Sequence, residues 1–166
     1  NFYIPAGGDE PDPAINPRFA HKLEFLDKLE SYFAGRAAAK TPLVLVGDFN
    51  IAPYEHDVWS HKQLLKVISH TPVEVDALER IRQAGRFSDV ARELIPMDEK
   101  IYTWWSYRAK DWKAANRGRR LDHIWVSPEL HDQAVAGGRD ALKVWDNVRS
   151  WEKPSDHAPV VLELKL

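Results

Sequence analysis

The chain has 166 residues, of which 44% are hydrophobic and 29% are charged, and its formal net charge is −2 at pH 7. These values indicate a globular domain of ordinary size, and they exclude a protein that binds nucleic acid through a strongly basic overall charge. No apolar stretch approaches the roughly 20 residues of a membrane span, and the absence of cysteine excludes disulfides and thiolate zinc sites and favours a reducing compartment.

The predicted strands and helices are interleaved along the chain, with alternation over its first half. Helical spacing of apolar side chains and plausible end signals predict helices over residues 18–35, 72–84 and 88–94. Apolar runs rich in β-formers predict strands over residues 1–5, 42–46, 100–107, 121–126, 141–145 and 160–166. The run over 42–46 is continuous, which is typical of a strand buried on both faces, and residues 110–119 have the composition of a loop. The alternation favours a layered α/β fold.

The start of the sequence predicts a chain that continues from elsewhere. Asn1 opens directly into the apolar segment of residues 1–5, without an initiator methionine. Since a natural domain rarely opens in the middle of a strand, we expect this chain to be the C-terminal portion of a longer protein.

Two polar side chains follow the predicted strand over residues 42–46. Asp48 and Asn50 lie at positions i and i+2 of the segment Gly-Asp-Phe-Asn, so both can face the same side of an extended chain. The carboxylate could orient or deprotonate a water molecule, and the amide could donate to a phosphate oxygen. The alternative is a structural role, because Asp and Asn also satisfy the backbone groups of turns.

A second polar pair precedes the last predicted strand. Asp156 offers the hard oxygen ligands that suit Mg²⁺ or Mn²⁺, and His157 titrates near neutrality and can donate to a phosphoryl oxygen. A capped turn is the structural alternative. Asp122 opens an otherwise apolar strand, where a carboxylate needs a partner. That partner is either a histidine, as in a His–Asp couple, or Arg120 in a salt bridge.

The segment over residues 104–120 is rich in aromatic and basic side chains. Its aromatic residues are Trp104, Trp105, Tyr107 and Trp112. Its cations are Arg108, Lys110, Lys113, Arg117, Arg119 and Arg120, against a single acid, Asp111. This local charge suits a phosphate backbone, and aromatic rings can stack on bases or wedge between them. The alternative is that the tryptophans are core and the cations face solvent; we expect at least one of Trp104 and Trp105 to pack inward.

Six short motifs occur in a fixed order along the chain. They are Tyr3-Ile4-Pro5, Gly47-Asp48-Phe49-Asn50, Tyr102-Thr103-Trp104-Trp105, Asn116-Arg117-Gly118, Arg120-Leu121-Asp122 and Ser155-Asp156-His157-Ala158-Pro159. Together they strongly resemble the exodeoxyribonuclease III family, the abasic-site nuclease branch of the endonuclease/exonuclease/phosphatase superfamily. The resemblance implies a four-layered α/β sandwich of the DNase I-like type. Residues 1–166 would be a single domain made of its C-terminal portion.

The resemblance also implies an activity. It is metal-dependent hydrolysis of DNA phosphodiester bonds, as a 3′-5′ exonuclease and as an apurinic/apyrimidinic endonuclease in base excision repair. The implied cofactor is Mg²⁺, with Mn²⁺ as a substitute. The implied partner is double-stranded DNA with abasic sites or 3′ ends. We expect a monomer without a membrane partner, located in a bacterial cytoplasm at the nucleoid.

Each residue that matches the family motifs acquires an implied role. Asp48 would activate the attacking water, Asn50 would hold this water or the phosphate, and Tyr3 would contact the phosphoryl group. Asp122 would pair with His157, which would contact the scissile phosphate. The implied metal ligands are Asp156, Asp48 and Asn50. The implied DNA-binding residues are Trp104, Arg108, Lys113, Asn116 and Arg117.

Three departures from the family pattern leave alternatives open. The Asn and the metal-binding Glu that the family carries on earlier strands have no counterpart here, so we expect the 166-residue chain alone to be inactive or nearly so. Ala6 stands where relatives often place an amide, and Arg119 where they often place an apolar residue beside the abasic pocket. The alternatives are another superfamily phosphodiesterase or phosphatase acting on lipid or inositol phosphates, or an inactive DNA-binding fragment.

Overall fold

The computed structural model describes residues 1–109 and 111–165, and these residues form a mixed α/β structure. The strands are β1 (Val44–Asp48), β2 (Ser88–Asp89), β3 (Trp104–Trp105), β4 (Gly118–Arg119), β5 (Asp122–Val126), β6 (Leu142–Val144) and β7 (Val160–Leu162). The α-helices are α1 (Pro17–Ala34), α2 (His61–Leu64), α3 (Pro72–Ala84), α4 (Val90–Leu94), α5 (Trp112–Ala115) and α6 (His131–Val135). Short 3₁₀ helices cover Ala37–Ala39, Glu55–Asp57, Pro128–Leu130, Gly138–Ala141 and Asp146–Ser150.

Strand β5 is the centre of the main sheet, whose order is β1-β5-β2. It pairs antiparallel with β1 in a register that sets Asp48 opposite Asp122. The two other sheets are the hairpin-like pairs β3-β4 and β6-β7. The register of β1 and β5 therefore brings together two acids that lie far apart in the sequence.

The main sheet separates two hydrophobic layers. On one face, α1 and α3 pack over a cluster that includes Leu45, Phe49 and Trp125. On the other face, Ile124 and Val126 pack with α4, α6 and the β6-β7 pair. Because successive residues of β5 point to opposite faces, one strand serves both cores.

Helix α3 begins at the predicted residue, Pro72, and α1 begins at Pro17, one residue before the predicted start. The side chain of Asn16 accepts hydrogen bonds from the backbone N–H groups of the first turn of α1. Thr71 and Glu74 form a capping box at the start of α3, with Pro72 as its first residue. No helix of the described residues is both long enough and apolar enough to cross a bilayer.

The first five residues run beside β1 in an extended conformation but do not form the predicted strand. Hydrogen bonds join the Phe2 N–H to the Val46 carbonyl and the Ile4 N–H to the Asp48 carbonyl. Gly47 permits this approach: it adopts φ +142°, and a Cβ atom there would lie 1.9 Å from the Phe2 oxygen. The segment is thus fastened to the end of β1 through a position that requires glycine.

Other predicted elements differ in extent. The segment over residues 88–94 opens as β2 before it turns into α4, and the loop predicted over residues 110–119 contains α5 and β4. The predicted strand over residues 42–46 is shifted to Val44–Asp48 and is only partly buried, since Val44 is 40% exposed. Helix α6 was not predicted. Lys110 and Leu166, the end of the strand predicted over residues 160–166, lie outside the described residues.

A buried ionic network fixes the entry to β5. The Arg120 guanidinium donates to both carboxylate oxygens of Asp57 and of Asp89 at 2.7–3.0 Å, and one of its nitrogens lies 3.0 Å from His123 Nδ1. His123 Nε2 lies 2.8 Å from the Ile51 carbonyl. Arg120 is therefore a structural residue, and the salt bridge to Asp122 considered from the sequence does not form.

Candidate active site

Asp48 and Asn50 are held together at the end of β1. The two Asp48 oxygens accept the backbone N–H and the side-chain Nδ2 of Asn50, each at 2.9 Å. Nδ2 also donates to the Ile4 carbonyl at 2.9 Å. Both amide hydrogens of Asn50 are thereby engaged, so the expectation that this amide donates to a phosphate oxygen is wrong. Unlike the amide nitrogen, the Asn50 oxygen cannot donate; it can only accept a hydrogen bond or ligate a cation.

Asp122, at the start of the neighbouring strand β5, forms a hydrogen-bonded pair with His157, which lies in the loop before β7. His157 Nδ1 lies 2.8 Å from Asp122 Oδ2, as the His–Asp alternative requires. The Thr103 hydroxyl donates to the same carboxylate oxygen at 2.6 Å and accepts the backbone N–H groups of Leu121 and Asp122. The imidazole is thus anchored through Nδ1, which leaves Nε2 directed towards Asp48 at 3.8 Å.

These side chains form one compact cluster. Ligating atoms of Asp48, Asp122 and His157 all lie within 4.8 Å of one another. Burial raises the pKa of Asp48 to about 6, and the charge of Asp122 adds to this rise while the Asn50 N–H opposes it. Burial opposes protonation of His157, but the hydrogen bond and charge of Asp122 outweigh it and raise the pKa of the imidazole. The cluster therefore combines closely spaced acids with an imidazole that favours its charged form.

Asp156 and Tyr3 lie at the edges of the same cleft. Asp156 Oδ2 accepts the indole N–H of Trp104 at 2.9 Å, and its backbone carbonyl accepts the Trp105 N–H. Tyr3 is 58% exposed. The catalytic cleft, as we name it, has a volume of about 300 Å³. Its lining residues are Tyr3, Ala6, Gly8, Asp48, Asn50, Ile68, Ser69, Trp104, Arg119, Leu121, Asp156 and His157.

A larger aromatic cleft of about 690 Å³ adjoins the catalytic cleft. Its lining includes Trp104, Arg108, Trp112 and Arg117. The Arg117 guanidinium stacks over the Trp59 ring at 4.8 Å. Of the two adjacent tryptophans, Trp105 packs inward, as expected of at least one of them, while Trp104 belongs to both clefts.

Two other predicted DNA-binding residues have different surroundings. Asn116 ends α5, and its side-chain oxygen accepts the indole N–H of Trp105 at 3.1 Å. It lines a third cleft, beside Tyr102 and Trp105. Lys113 is exposed on α5. Asn116 thus supports the wall of the aromatic cleft from behind, and a contact with DNA stays a prediction for both residues.

A buried ion pair beneath the catalytic cleft was not predicted from the sequence. Lys22 Nζ lies 2.6 Å from Glu74 Oε1 and donates to the Asn50 carbonyl at 2.9 Å and the Ala6 carbonyl at 3.4 Å. Both Lys22 and Glu74 are fully buried. Lys22 lies on the apolar face of α1 between Phe19 and Leu26, and a cation in such a stripe is the signal that could have revealed a buried partner.

The donor set fits a hard divalent cation. Carboxylate and amide oxygens are the ligands that such cations prefer, and Asp48, Asn50 and Asp156 offer them around one cleft. The Asn50 amide bonds fix its oxygen as the free acceptor, because both of its hydrogens have partners. Among the described residues, Asp48, Asp122 and His157 lie close enough together to hold a metal ion, whereas Asp156 is not part of that cluster.

Solved structures resemble this chain over its whole length. An AP endonuclease from Archaeoglobus fulgidus matches with a TM-score of 0.88 and 30% sequence identity, covering 100% of this chain and 60% of that one. The 3′ phosphatase NExo from Neisseria, bound to a product DNA hairpin, matches with a TM-score of 0.82 and 30% identity over the same shares. These matches confirm the expected fold class.

Sequence relatives agree with the structural matches. Exodeoxyribonuclease III from Haemophilus influenzae is 32% identical over 99% of this chain and 60% of its own length, which confirms the resemblance seen in the motifs. The chain thus spans about 60% of that curated relative, and the activity of the whole protein is a matter for proposal. The model of the Endonuclease/Exonuclease/phosphatase family matches residues 2–157. The chain therefore belongs to the Endonuclease/Exonuclease/phosphatase family.

Proposed function

We propose that the protein hydrolyses phosphodiester bonds of double-stranded DNA with the help of Mg²⁺, for which Mn²⁺ can substitute. The observation that carries the proposal is the convergence of Asp48, Asn50, Asp122 and His157 beside the paired ends of β1 and β5. A structural explanation of these residues is weaker, because polar side chains that converge beside an open cleft contribute little to a hydrophobic core. Within the family, the named relatives that act on DNA favour this substrate over lipid or inositol phosphates.

The side chains divide the chemistry between them. Asp48 accepts the proton of the attacking water, since its carboxylate is held in one orientation by two N–H groups of Asn50. His157 donates from Nε2 to a non-bridging phosphate oxygen, and Asp122 keeps the imidazole oriented through Nδ1. Tyr3 lies at the rim, where its hydroxyl can reach the phosphoryl group. The expected products are a 3′ hydroxyl and a 5′ phosphate.

The metal would be held by oxygen ligands. Asp156, Asp48 and the Asn50 oxygen are the proposed ligands in this chain. When bound, the ion supplies positive charge that neutralises the phosphoryl oxygens and stabilises the leaving oxygen. Trp104 connects this metal region with the aromatic cleft, because its indole donates to Asp156 while its ring lines both clefts.

The aromatic cleft is the proposed site for the nucleotide beside the cut. Aromatic side chains with neighbouring cations suit stacked bases and the DNA backbone. We propose that Trp104, Arg108, Lys113, Asn116 and Arg117 contribute to this DNA surface, with Asn116 acting through Trp105. Abasic sites and 3′ ends are the proposed targets, in keeping with the AP endonuclease and 3′ phosphatase among the similar structures.

A cleavage assay on the protein as its gene encodes it tests this proposal. The substrates are a duplex with one abasic site, a duplex with a recessed 3′ end, an inositol phosphate and a phospholipid, each with Mg²⁺ or with EDTA. We expect cleavage of both duplexes with Mg²⁺ and no cleavage of either duplex with EDTA. Hydrolysis of the inositol phosphate or the phospholipid with intact duplexes would contradict the DNA assignment.

Charge reversal tests the DNA surface separately. The double variant Lys113→Glu, Arg117→Glu should weaken duplex binding and lower the slope of log affinity against log salt by about 2, since each phosphate contact contributes about 1. The matched control is Lys28→Glu, Arg36→Glu, which makes the same charge change on exposed residues at and after α1. Equal salt slopes for the two double variants would contradict the proposal that Lys113 and Arg117 contact DNA.

A further inference from the structure

Arg119 stands in the wall between the two clefts. It lies on β4, where its backbone pairs with Trp104 of β3. Its side chain lines the catalytic cleft and the aromatic cleft, as do Gly8, Ile68 and Trp104. A strand of substrate that passes from one cleft to the other must therefore cross Arg119.

The guanidinium of Arg119 is held in place. Its Nη1 donates to the Ile68 carbonyl at 3.0 Å and to the Ser69 hydroxyl at 2.7 Å. Its carbon lies 5.3 Å from the centre of the Trp104 ring. The side chain has little freedom left to lose when it binds a ligand, which is the condition for a preorganised contact.

The charge of Arg119 is not neutralised within the described part of the chain. No carboxylate there forms a salt bridge with it, whereas the adjacent Arg120 is paired with both Asp57 and Asp89. Its Nε is buried and has no hydrogen-bond partner among residues 1–109 and 111–165. Glu74, the acid whose charge acts on it, is already paired with Lys22. A half-buried cation that lacks an internal counter-charge points to an anion supplied from outside.

The composition of the catalytic cleft leads to the same conclusion. Among its described lining residues, Arg119 carries the one permanent positive charge, against the acids Asp48 and Asp156. A polyanionic strand entering this cleft needs a cation beside the metal site, and Arg119 can supply one through Nη2, since Nη1 is engaged with Ile68 and Ser69 and Nε is buried.

We propose that Arg119 binds the internal phosphate next to the scissile one and so positions the strand between the catalytic and aromatic clefts. This inference rests on the proposed function, and it makes Arg119 a substrate-binding residue rather than a part of the cluster around Asp48. A substrate that lacks the phosphate next to the scissile one would lose this contact, so the residue favours substrates whose strand continues past the scissile phosphate.

Single neutral phosphates test the contact. Duplexes carrying one methylphosphonate at successive positions around the cleavage point are bound to the protein as its gene encodes it, with EDTA present so that metal-dependent cleavage does not occur. For the wild type, we expect the methylphosphonate next to the scissile phosphate to weaken binding about tenfold, the size of a lost charged hydrogen bond. In the Arg119→Gln variant, the methylphosphonate at the same position should weaken binding less than about twofold, because the contact between Arg119 and this phosphate is already absent.

Two further variants control the result. Arg119→Lys keeps the charge without the planar guanidinium and should retain part of the methylphosphonate effect. Arg36→Gln removes an exposed arginine that lines neither cleft and should behave as the wild type. Circular dichroism establishes that each variant is folded. If Arg119→Gln is not folded, Arg119→Lys is compared with the wild type instead: a smaller methylphosphonate effect at the adjacent phosphate is the expected result, and an undiminished effect would overturn the role of Arg119.

The outcomes separate the two proposals. A wild type that shows no salt-sensitive binding to the duplex overturns the proposed function and this inference with it. A wild type that binds the duplex, together with an Arg119→Gln variant that suffers the same loss from every methylphosphonate, overturns the role of Arg119 alone.

Discussion

Thr103 supports the active-site carboxylate from inside the protein, and replacing it with valine tests this support. The side chain is 1% exposed. Its hydroxyl donates to Asp122 Oδ2 at 2.6 Å and accepts the backbone N–H groups of Leu121 and Asp122, both at 3.0 Å. Valine has nearly the same shape, so Thr103→Val removes these three hydrogen bonds while leaving the packing in place.

The expected cost follows from the groups that lose their partners. A hydrogen bond to a charged group contributes about 1.5–3 kcal/mol, and a buried N–H left unpaired costs about 1–3 kcal/mol. These terms are not additive, since Asp122 can turn towards solvent and water can reach part of the site. We therefore expect Thr103→Val to lower the free energy of unfolding by about 3 kcal/mol, near the low end of the sum.

Urea denaturation measures this change. The control is Thr103→Ser, which keeps the hydroxyl, removes one methyl group and should cost about 1 kcal/mol. DNA cleavage by Thr103→Val should also fall, because Asp122 would no longer hold the His157 imidazole in one orientation. A free energy of unfolding within about 0.5 kcal/mol of the wild type would mean that the hydroxyl satisfies none of these groups.

Two further predictions concern stability. Gly47→Ala would place a Cβ atom 1.9 Å from the Phe2 oxygen at φ +142°, so we expect it to cost about 3 kcal/mol or more in urea denaturation. Gly138→Ala, at φ +60° with open space around it, should cost about 1 kcal/mol, and equal losses would contradict the steric argument. Burial lowers the pKa of His123 to about 4 from its ordinary 6.5, so the stability that its neutral form contributes is present above pH 6.5 and is lost as the pH falls to about 4. Between pH 7 and pH 4, this group should lower the free energy of unfolding, measured by urea denaturation, by about 3 kcal/mol. A His123→Gln variant that keeps the full wild-type pH dependence would contradict this prediction.

The residues that form the catalytic cluster could be predicted from the sequence, but the hydrogen bonds between them could not. Asp48, Asn50, Asp122 and His157 were identified because short polar motifs at strand ends imply chemistry, and the structure brings them together. Their pairing depends on the register of β1 and β5, which no local pattern contains. The same limit explains why both Arg120 and a histidine remained possible partners of Asp122 until the strands were placed.

The fold shows a similar division. Helices α1 and α3 were predicted well because their caps and apolar spacing are local signals. The short strands β2, β3 and β4 contain two residues each, and such elements depend on tertiary pairing more than on propensity. The partner of Lys22 could not be predicted from the sequence of α1 alone, because Glu74, with which it forms a buried ion pair, lies on α3.

We propose that Asp48 takes part in the chemistry of DNA cleavage, and the cleavage rate of the Asp48→Asn variant is the measurement that decides this role. The measurement is single-turnover cleavage of a duplex with one abasic site in Mg²⁺, by the protein as its gene encodes it. The control is Asp76→Asn, the same substitution at an exposed acid of α3. We expect a loss of about 100-fold or more for Asp48→Asn and an unchanged rate for Asp76→Asn. Equal rates for the two variants would contradict this proposal.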